Sequence, residues 1–207
     1  MNILIVGATG SVGRELVKQA LAEGHMVTAL IRDPSKLQLD HPGLRLAVGN
    51  ALIPASIEQA MPGQDAVLCA LGAGGKGGVR AAGTRILIEV MWKCGVRRLI
   101  CLSSLGVAES RANLNFFWRY IMFGLLLRRA YNDHMAQESI IRNSDLDWTI
   151  IRPGAYTDGD STGEYRHGFP ATSRDLKLKI ARADVADFML NQLGNNSYLR
   201  MAPGISY

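Results

Sequence analysis

The sequence predicts an α/β protein: a doubly wound parallel sheet with helices on both faces and a small C-terminal cap. Three observations predict it. Apolar runs suited to buried strands alternate with amphipathic helical stretches throughout. The run Ile3-Leu4-Ile5-Val6 leads directly into Gly7-Ala8-Thr9-Gly10-Ser11-Val12-Gly13 and a helix. A length of 207 residues with 48% hydrophobic composition suffices for one large domain, so residues 1–207 are read as a single dinucleotide-binding unit.

The first strand is placed at 2–6. Its helix, 11–23, sets Val12, Leu16, Val17, Ala20 and Leu21 on one face and Arg14, Glu15, Lys18 and Gln19 on the other, and Gly24 ends it. A second strand, 26–31, closes on the turn Arg32-Asp33-Pro34-Ser35, and a short third, 44–48, leads into Gly49-Asn50-Ala51 and a helix at 54–61. Residues 65–71 are apolar after Asp65, as a central parallel strand requires. The glycine-dense loop 72–78 then falls at a strand's carboxyl end, where open α/β sheets bind ligands; a flexible linker is the competing reading. A long helix at 79–93 precedes strand five, 98–102, which ends in Ser103-Ser104-Leu105-Gly106. Residues 111–143 read as mostly helical with a break near Gly124. Strand six, 148–151, is stopped by Arg152-Pro153-Gly154, the weakly patterned stretch 155–179 is read as the cap, and a last helix spans 183–193.

The glycine loop carries the chemistry. Three glycines at these offsets let the chain turn tightly off a strand, approach a pyrophosphate with its backbone, and pack the next helix on the sheet. The helix N-terminus then faces the anion, which makes this a Rossmann-type site. The residue closing strand two chooses between the two nicotinamide dinucleotides: an acid holds ribose hydroxyls, whereas an arginine pairs with a 2′-phosphate. Here it is Arg32, with Lys36 nearby, while Asp33 directly precedes Pro34 and is explained as a turn initiator. NADPH is the expected cofactor.

For catalysis, Ser104 is the candidate that orients substrate or nicotinamide, with Ser103 beside it; strand termination and turn capping explain the same serines. A tyrosine followed four residues later by a supporting lysine is absent, because Tyr131 is followed by Met135 and Tyr120 by Gly124. An enzyme with this sequence therefore suits an acceptor that takes hydride without a dedicated protein acid, such as a flavin or an extended conjugated system, with solvent supplying the proton. His134 could do acid–base work, although packing or capping explains it equally well. The apolar stretch 116–127 (FFWRYIMFGLLL) admits three readings: a lid over a flat ligand, an oligomer contact, or a membrane-surface contact.

Composition removes several classes. The net charge of +5 is spread without a lysine–arginine block or zinc-finger spacing, which argues against nucleic acid and a metal site. Cys69, Cys94 and Cys101 form no Cys-x-x-Cys pair and are expected to be reduced, partly buried fillers. The 116–127 stretch is too short to span a bilayer and contains Arg119. With a strand beginning at residue 2, a cytoplasmic protein is expected, as a monomer or weak homodimer.

Taken in order, the glycine motif, Ile31-Arg32-Asp33-Pro34, Gly49-Asn50-Ala51, Gly63-Gln64-Asp65-Ala66-Val67, Ser103-Ser104, Arg152-Pro153-Gly154 and Arg182-Ala183-Asp184-Val185-Ala186 resemble the NmrA-like atypical short-chain dehydrogenases/reductases, most of all the biliverdin and flavin reductases. The resemblance covers nearly the whole chain. It implies that Gly7, Thr9, Gly10, Ser11, Val12 and Gly13 hold the pyrophosphate and Arg32 the 2′-phosphate. It also implies that Asn50 and Ala51 flank the adenine, Leu71 and Gly72 line the nicotinamide ribose, and Pro153 completes the cofactor-binding set. Ser104 is implied as the catalytic residue. Two departures stand out: Asn50 replaces the family's usual aspartate, and Gly154 replaces a histidine near the substrate. The expected activity is an NADPH-dependent reductase acting on a flavin or linear tetrapyrrole; the alternatives are an NADPH-sensing regulator without turnover and an assembly or membrane-docking factor.

Overall fold

In the computed structural model, which describes residues 1–72 and 77–207, six consecutive strands run parallel, as the alternating pattern predicts. β1 (Asn2–Val6), β2 (Met26–Ile31), β3 (Leu44–Val48), β4 (Ala66–Cys69) and β5 (Arg98–Leu102) are joined by β6 (Asp147–Pro153), giving the order β3-β2-β1-β4-β5-β6. Chain direction across the sheet reverses between β1 and β4, and the carboxyl ends of these neighbours frame the crevice where such sheets take ligands. Apart from the exposed Asn2, β1 and β4 are apolar and buried, because helices cover both faces.

One face carries α1 (Ser11–Ala22) packed against α5 (Arg182–Asn191); the other carries α2 (Pro54–Ala60), α3 (Val79–Cys94) and α4 (Arg128–Arg142), with α3 against α4. Two apolar cores result. Leu16, Val17 and Phe188 meet Ile3 and Ile5 on the first face, and Leu87, Met91 and Ile141 meet Leu4 and Val67 on the second.

The C-terminal third departs from the sequence reading in three ways. β6 continues through Pro153 instead of stopping at Ile151, because Arg152 and Pro153 pair with β10 (Gly204–Ser206) and the missing proline N–H is not required by that ladder. β10 and β8 (Arg166–His167), which add a parallel and then an antiparallel strand to make an eight-stranded sheet, are too short to show periodicity. Within the expected cap, β7 (Ala155–Thr157) pairs with β9 (Lys179–Ala181) as a separate two-stranded sheet.

The helical break falls at Leu127, not Gly124. Residues Phe117–Leu126 form a π-helical segment, closed by a bond from Leu127 N–H to the carbonyl of Met122, and this wider turn accommodates Gly124 without ending. Among the cysteines, Cys69 and Cys101 are buried and face each other across β4 and β5, but Cys94 is exposed and fills no core. In the glycine-dense loop 72–78, positions 73–76 lie outside the described residues.

Candidate functional site

A cavity of about 1250 Å³ opens along the carboxyl ends of β1, β2, β4, β5 and β6. At one end, Gly7 turns the chain off β1 with φ +89°, and a Cβ there would lie 2.4 Å from the carbonyl oxygen of Ala70 on the neighbouring strand. Only glycine lets the two backbones approach in this way. Gly13 serves a different purpose: its Cβ would lie 2.1 Å from the Gly7 carbonyl oxygen, so it sets the contact between α1 and the loop and does not line the cavity.

Gly10 caps α1 without a side chain, and the first turn holds no acidic residue. The amide groups of that turn therefore face the cavity beside Thr9, Ser11 and Val12 with their dipole uncompensated, which suits a phosphate anion. A dinucleotide pyrophosphate fits this cradle.

The wall beside β2 separates Arg32 from Asp33 in role. Asp33 accepts hydrogen bonds from the backbone N–H (3.0 Å) and the hydroxyl (2.7 Å) of Ser35, which commits it to the turn at Pro34 and holds its carboxyl below the usual range. Arg32 is exposed and lines the cavity with Lys36, and among the described residues no carboxylate pairs with it. Asn50 uses its side-chain oxygen to accept from Leu52 N–H at 3.1 Å, and it lines the cavity with Ala51.

Toward the other end, Leu71, Gly72, Ser103, Ser104 and Pro153 also line the cavity, so every cofactor and catalytic position read from the sequence except Gly13 comes together there. The two serines differ. Ser103 is buried and donates to Glu138 Oε1 at 2.6 Å, and Glu138 is in turn held by Arg152, whose Nε lies 2.9 Å from the same oxygen. Arg152 also reaches Glu109 at 2.8 Å, and Arg142 braces Glu109 at 3.2 Å. Ser104 is half-buried, and its hydroxyl has only a long 3.3 Å contact to the Leu105 carbonyl, which leaves it available to a ligand.

Several residues on this side were not read from the sequence. Arg80 is buried at 8% exposure and lines the cavity near Gly72. Its partner Asp133 stands 3.5 Å from one guanidinium nitrogen and accepts shorter hydrogen bonds from the backbone N–H groups of Arg80 (3.1 Å) and Ala81 (3.0 Å) at the start of α3. Among the described residues the Arg80 Nε has no partner. A guanidinium with an unused N–H on a cavity wall is suited to an acidic ligand group.

His134 also lines the cavity; burial, then the charge of Arg80, pushes its pKa down to about 3, so the ring is neutral. Trp118 and Phe123 of the π segment, with ring centroids 6.1 Å apart, join Leu114 and Leu178 to form an apolar wall of the cavity. Gly154, where the resembled pattern has histidine, packs its Cα against the Leu178 backbone; a Cβ would lie 2.7 Å from that carbonyl carbon, so no larger side chain fits. Arg80 and Arg152 were unreadable because their burial depends on α4, which is distant in sequence. The available signal was acidic residues, Asp133 and Glu138, on the same helical stretch as the core residue Ile141.

The model of a family described as NAD(P)H-binding matches residues 7–196. A UPF0659 protein of Saccharomyces cerevisiae is 31% identical over 93% of this chain and 87% of its own length. Among solved structures, ChuY from Escherichia coli O157:H7, described as an anaerobillin reductase, superposes with a TM-score of 0.81 at 25% identity, covering 100% of this chain and 97% of that one. A short-chain dehydrogenase/reductase from Veillonella parvula, solved in complex with NADP, gives 0.86 at 17% identity over 100% and 94% of the two chains, a likeness of fold.

Proposed function

Because the chain belongs to this NAD(P)H-binding family, we propose that it is an NADPH-dependent reductase that passes hydride to a flat conjugated acceptor, a flavin or a linear tetrapyrrole. One observation carries the reading: a single cavity joins a helix N-terminus with no side-chain cap and an arginine unpaired among the described residues at one end to a weakly bonded serine hydroxyl and an aromatic wall at the other. Its volume of about 1250 Å³ exceeds the ~300–1,000 Å³ typical of one small ligand, which leaves room for cofactor and acceptor together.

In this reading Gly7, Thr9, Gly10, Ser11 and Val12 hold the pyrophosphate, with Gly13 fixing the helix that presents them. Arg32 pairs with the 2′-phosphate, Asn50 and Ala51 flank the adenine, and Leu71, Gly72 and Pro153 line the nicotinamide end. When bound, NADPH supplies the hydride, and the acceptor takes its proton from solvent. Ser104 orients the reacting partners through its hydroxyl, and Ser103 positions Ser104 through the Glu138–Arg152 anchor. Trp118 and Phe123 offer the stacking surface a planar acceptor needs. Arg80 receives an acidic substituent such as a flavin phosphate or a tetrapyrrole propionate. The similarity to ChuY supports the tetrapyrrole branch. All of these roles belong to one NAD(P)-binding domain spanning residues 1–207.

The test is NADPH oxidation by purified protein with FMN, riboflavin or biliverdin. Acceptor-dependent loss of nicotinamide absorbance is expected. Tight NADPH binding without turnover on any of the three contradicts the enzyme reading and assigns the cofactor a sensing role.

A further inference from the structure

From Arg111 to Asn132 the chain contains four arginines, at 111, 119, 128 and 129, and no acidic residue. The π segment within this stretch, together with Phe116 just before it, has two apolar faces. Trp118 and Phe123 turn inward to the cavity, whereas Phe116 (72% exposed), Leu125 (74%) and Leu126 (67%) stand in solvent with Phe117 and Tyr120. Burial in this chain does not account for the outer face, and solvent is a poor environment for so many adjacent large apolar groups. Among the described residues no helix is long and apolar enough to cross a membrane, so a lipid contact here lies along the surface.

We propose that this outer face docks the protein on an anionic lipid bilayer, with Phe116, Phe117, Leu125 and Leu126 entering the acyl boundary and Arg128 and Arg129 meeting the headgroups. Charge decides the occupant. A second copy meeting this face across a two-fold axis would oppose the same arginines to one another, with no carboxylate in the stretch to relieve them, whereas acidic headgroups neutralise them. Docked in this way, the Trp118 and Phe123 wall lies about one helix diameter, ~10 Å, from the headgroup layer. The proposal is independent of the reaction assigned above.

Vesicle flotation of the intact protein tests it, comparing phosphatidylcholine alone with phosphatidylcholine containing about one-third phosphatidylglycerol. We expect at least tenfold more protein on the anionic vesicles at low salt, and most of that excess gone at roughly 0.5 M salt. Phe117→Asp and Leu125→Asp should each abolish capture, and the double variant Arg128→Glu/Arg129→Glu should lower it at least tenfold. All four side chains are exposed, so unchanged unfolding midpoints serve as the control for folding. Negligible capture by both vesicle types overturns the proposal, as does equal capture by both, or capture that none of these variants alters. A concentration-dependent dimer dissolved by Leu125→Asp, in protein that ignores vesicles, also overturns it and gives the face to a second copy.

Discussion

Ser103 donates a 2.6 Å hydrogen bond to Glu138, whereas Ser104 makes only a long 3.3 Å bond to the Leu105 carbonyl among the described residues, and this difference separates two adjacent serines into an anchor and a weakly held hydroxyl. Ser103 has 2% exposure and is fixed to a carboxylate that Arg152 also holds, so its side chain serves the architecture beneath the cavity.

Ser103→Ala and Ser104→Ala should therefore have different effects. Removing Ser103 withdraws one donor from a buried carboxylate and should cost about 1–3 kcal/mol of stability. Removing Ser104 should leave the unfolding midpoint within about a degree of wild type and lower kcat at least tenfold. Glu138→Ala, which leaves the buried Arg152 with Glu109 as its one carboxylate partner, should cost about 3 kcal/mol. Denaturant melts and steady-state kinetics on the three variants check this, and a stability loss confined to Ser104→Ala would reverse the assignment.

Arg80 should discriminate acceptors by charge. With its Asp133 partner engaged by the amides of α3, the guanidinium is available to a phosphate or carboxylate. Arg80→Met is expected to raise KM for FMN about tenfold or more while changing KM for riboflavin, which lacks the phosphate, less than twofold. Equal changes for both acceptors would place the acidic group elsewhere.

The pH profile should be flat where an ordinary histidine titrates. Burial and the nearby Arg80 charge push His134 to about 3, so it is neutral across pH 5–8 and gives kcat no ionisation near 6.5. The unfolded chain takes up this proton below about pH 6.5 while the folded one does not. Stability from this group is therefore full above that pH and is lost as pH falls toward 3. His134→Gln should flatten that part of the stability curve, and an acid limb in kcat near 6.5 that disappears in this variant would contradict the assignment.

Asp184 governs stability at lower pH. Burial alone would raise its pKa, but hydrogen bonds from the Tyr207 hydroxyl, the Gly163 N–H (3.0 Å), the Ser161 hydroxyl (2.9 Å) and the Thr162 N–H (2.7 Å) outweigh that and hold it low. Its contribution is full above an unfolded pKa of about 4 and is lost as pH falls through the still lower folded value. Asp184→Asn should cost about 2–3 kcal/mol at pH 7 and weaken the acid dependence below pH 4, read from urea melts at several pH values.

The sequence disclosed those parts of the molecule that the backbone itself enforces. Gly7 and Gly13 are dictated by contacts at which a Cβ would collide, so their spacing alone locates the cradle. Asp33 reads as a turn former because its partner, Ser35, is two residues away. The remainder depends on distant partners. Arg152 looked like the end of a strand because its anchors, Glu138 and Glu109, are 14 and 43 residues away, and β10 could not be read from three residues whose pairing is supplied by β6. The π segment reads as an interrupted helix since composition does not distinguish a wide turn from a break, and Gly124 is a stronger helix breaker than Leu127.

Calorimetric titration of the protein with NADPH and NADH, repeated on Arg32→Glu, tests the central claim most directly. Wild type should bind one NADPH per chain, at least tenfold more tightly than NADH, and the variant should lose that preference by weakening NADPH alone. No heat with either nucleotide would contradict the account, and an equal loss of both in Arg32→Glu would mean that the 2′-phosphate does not bind at the end of β2.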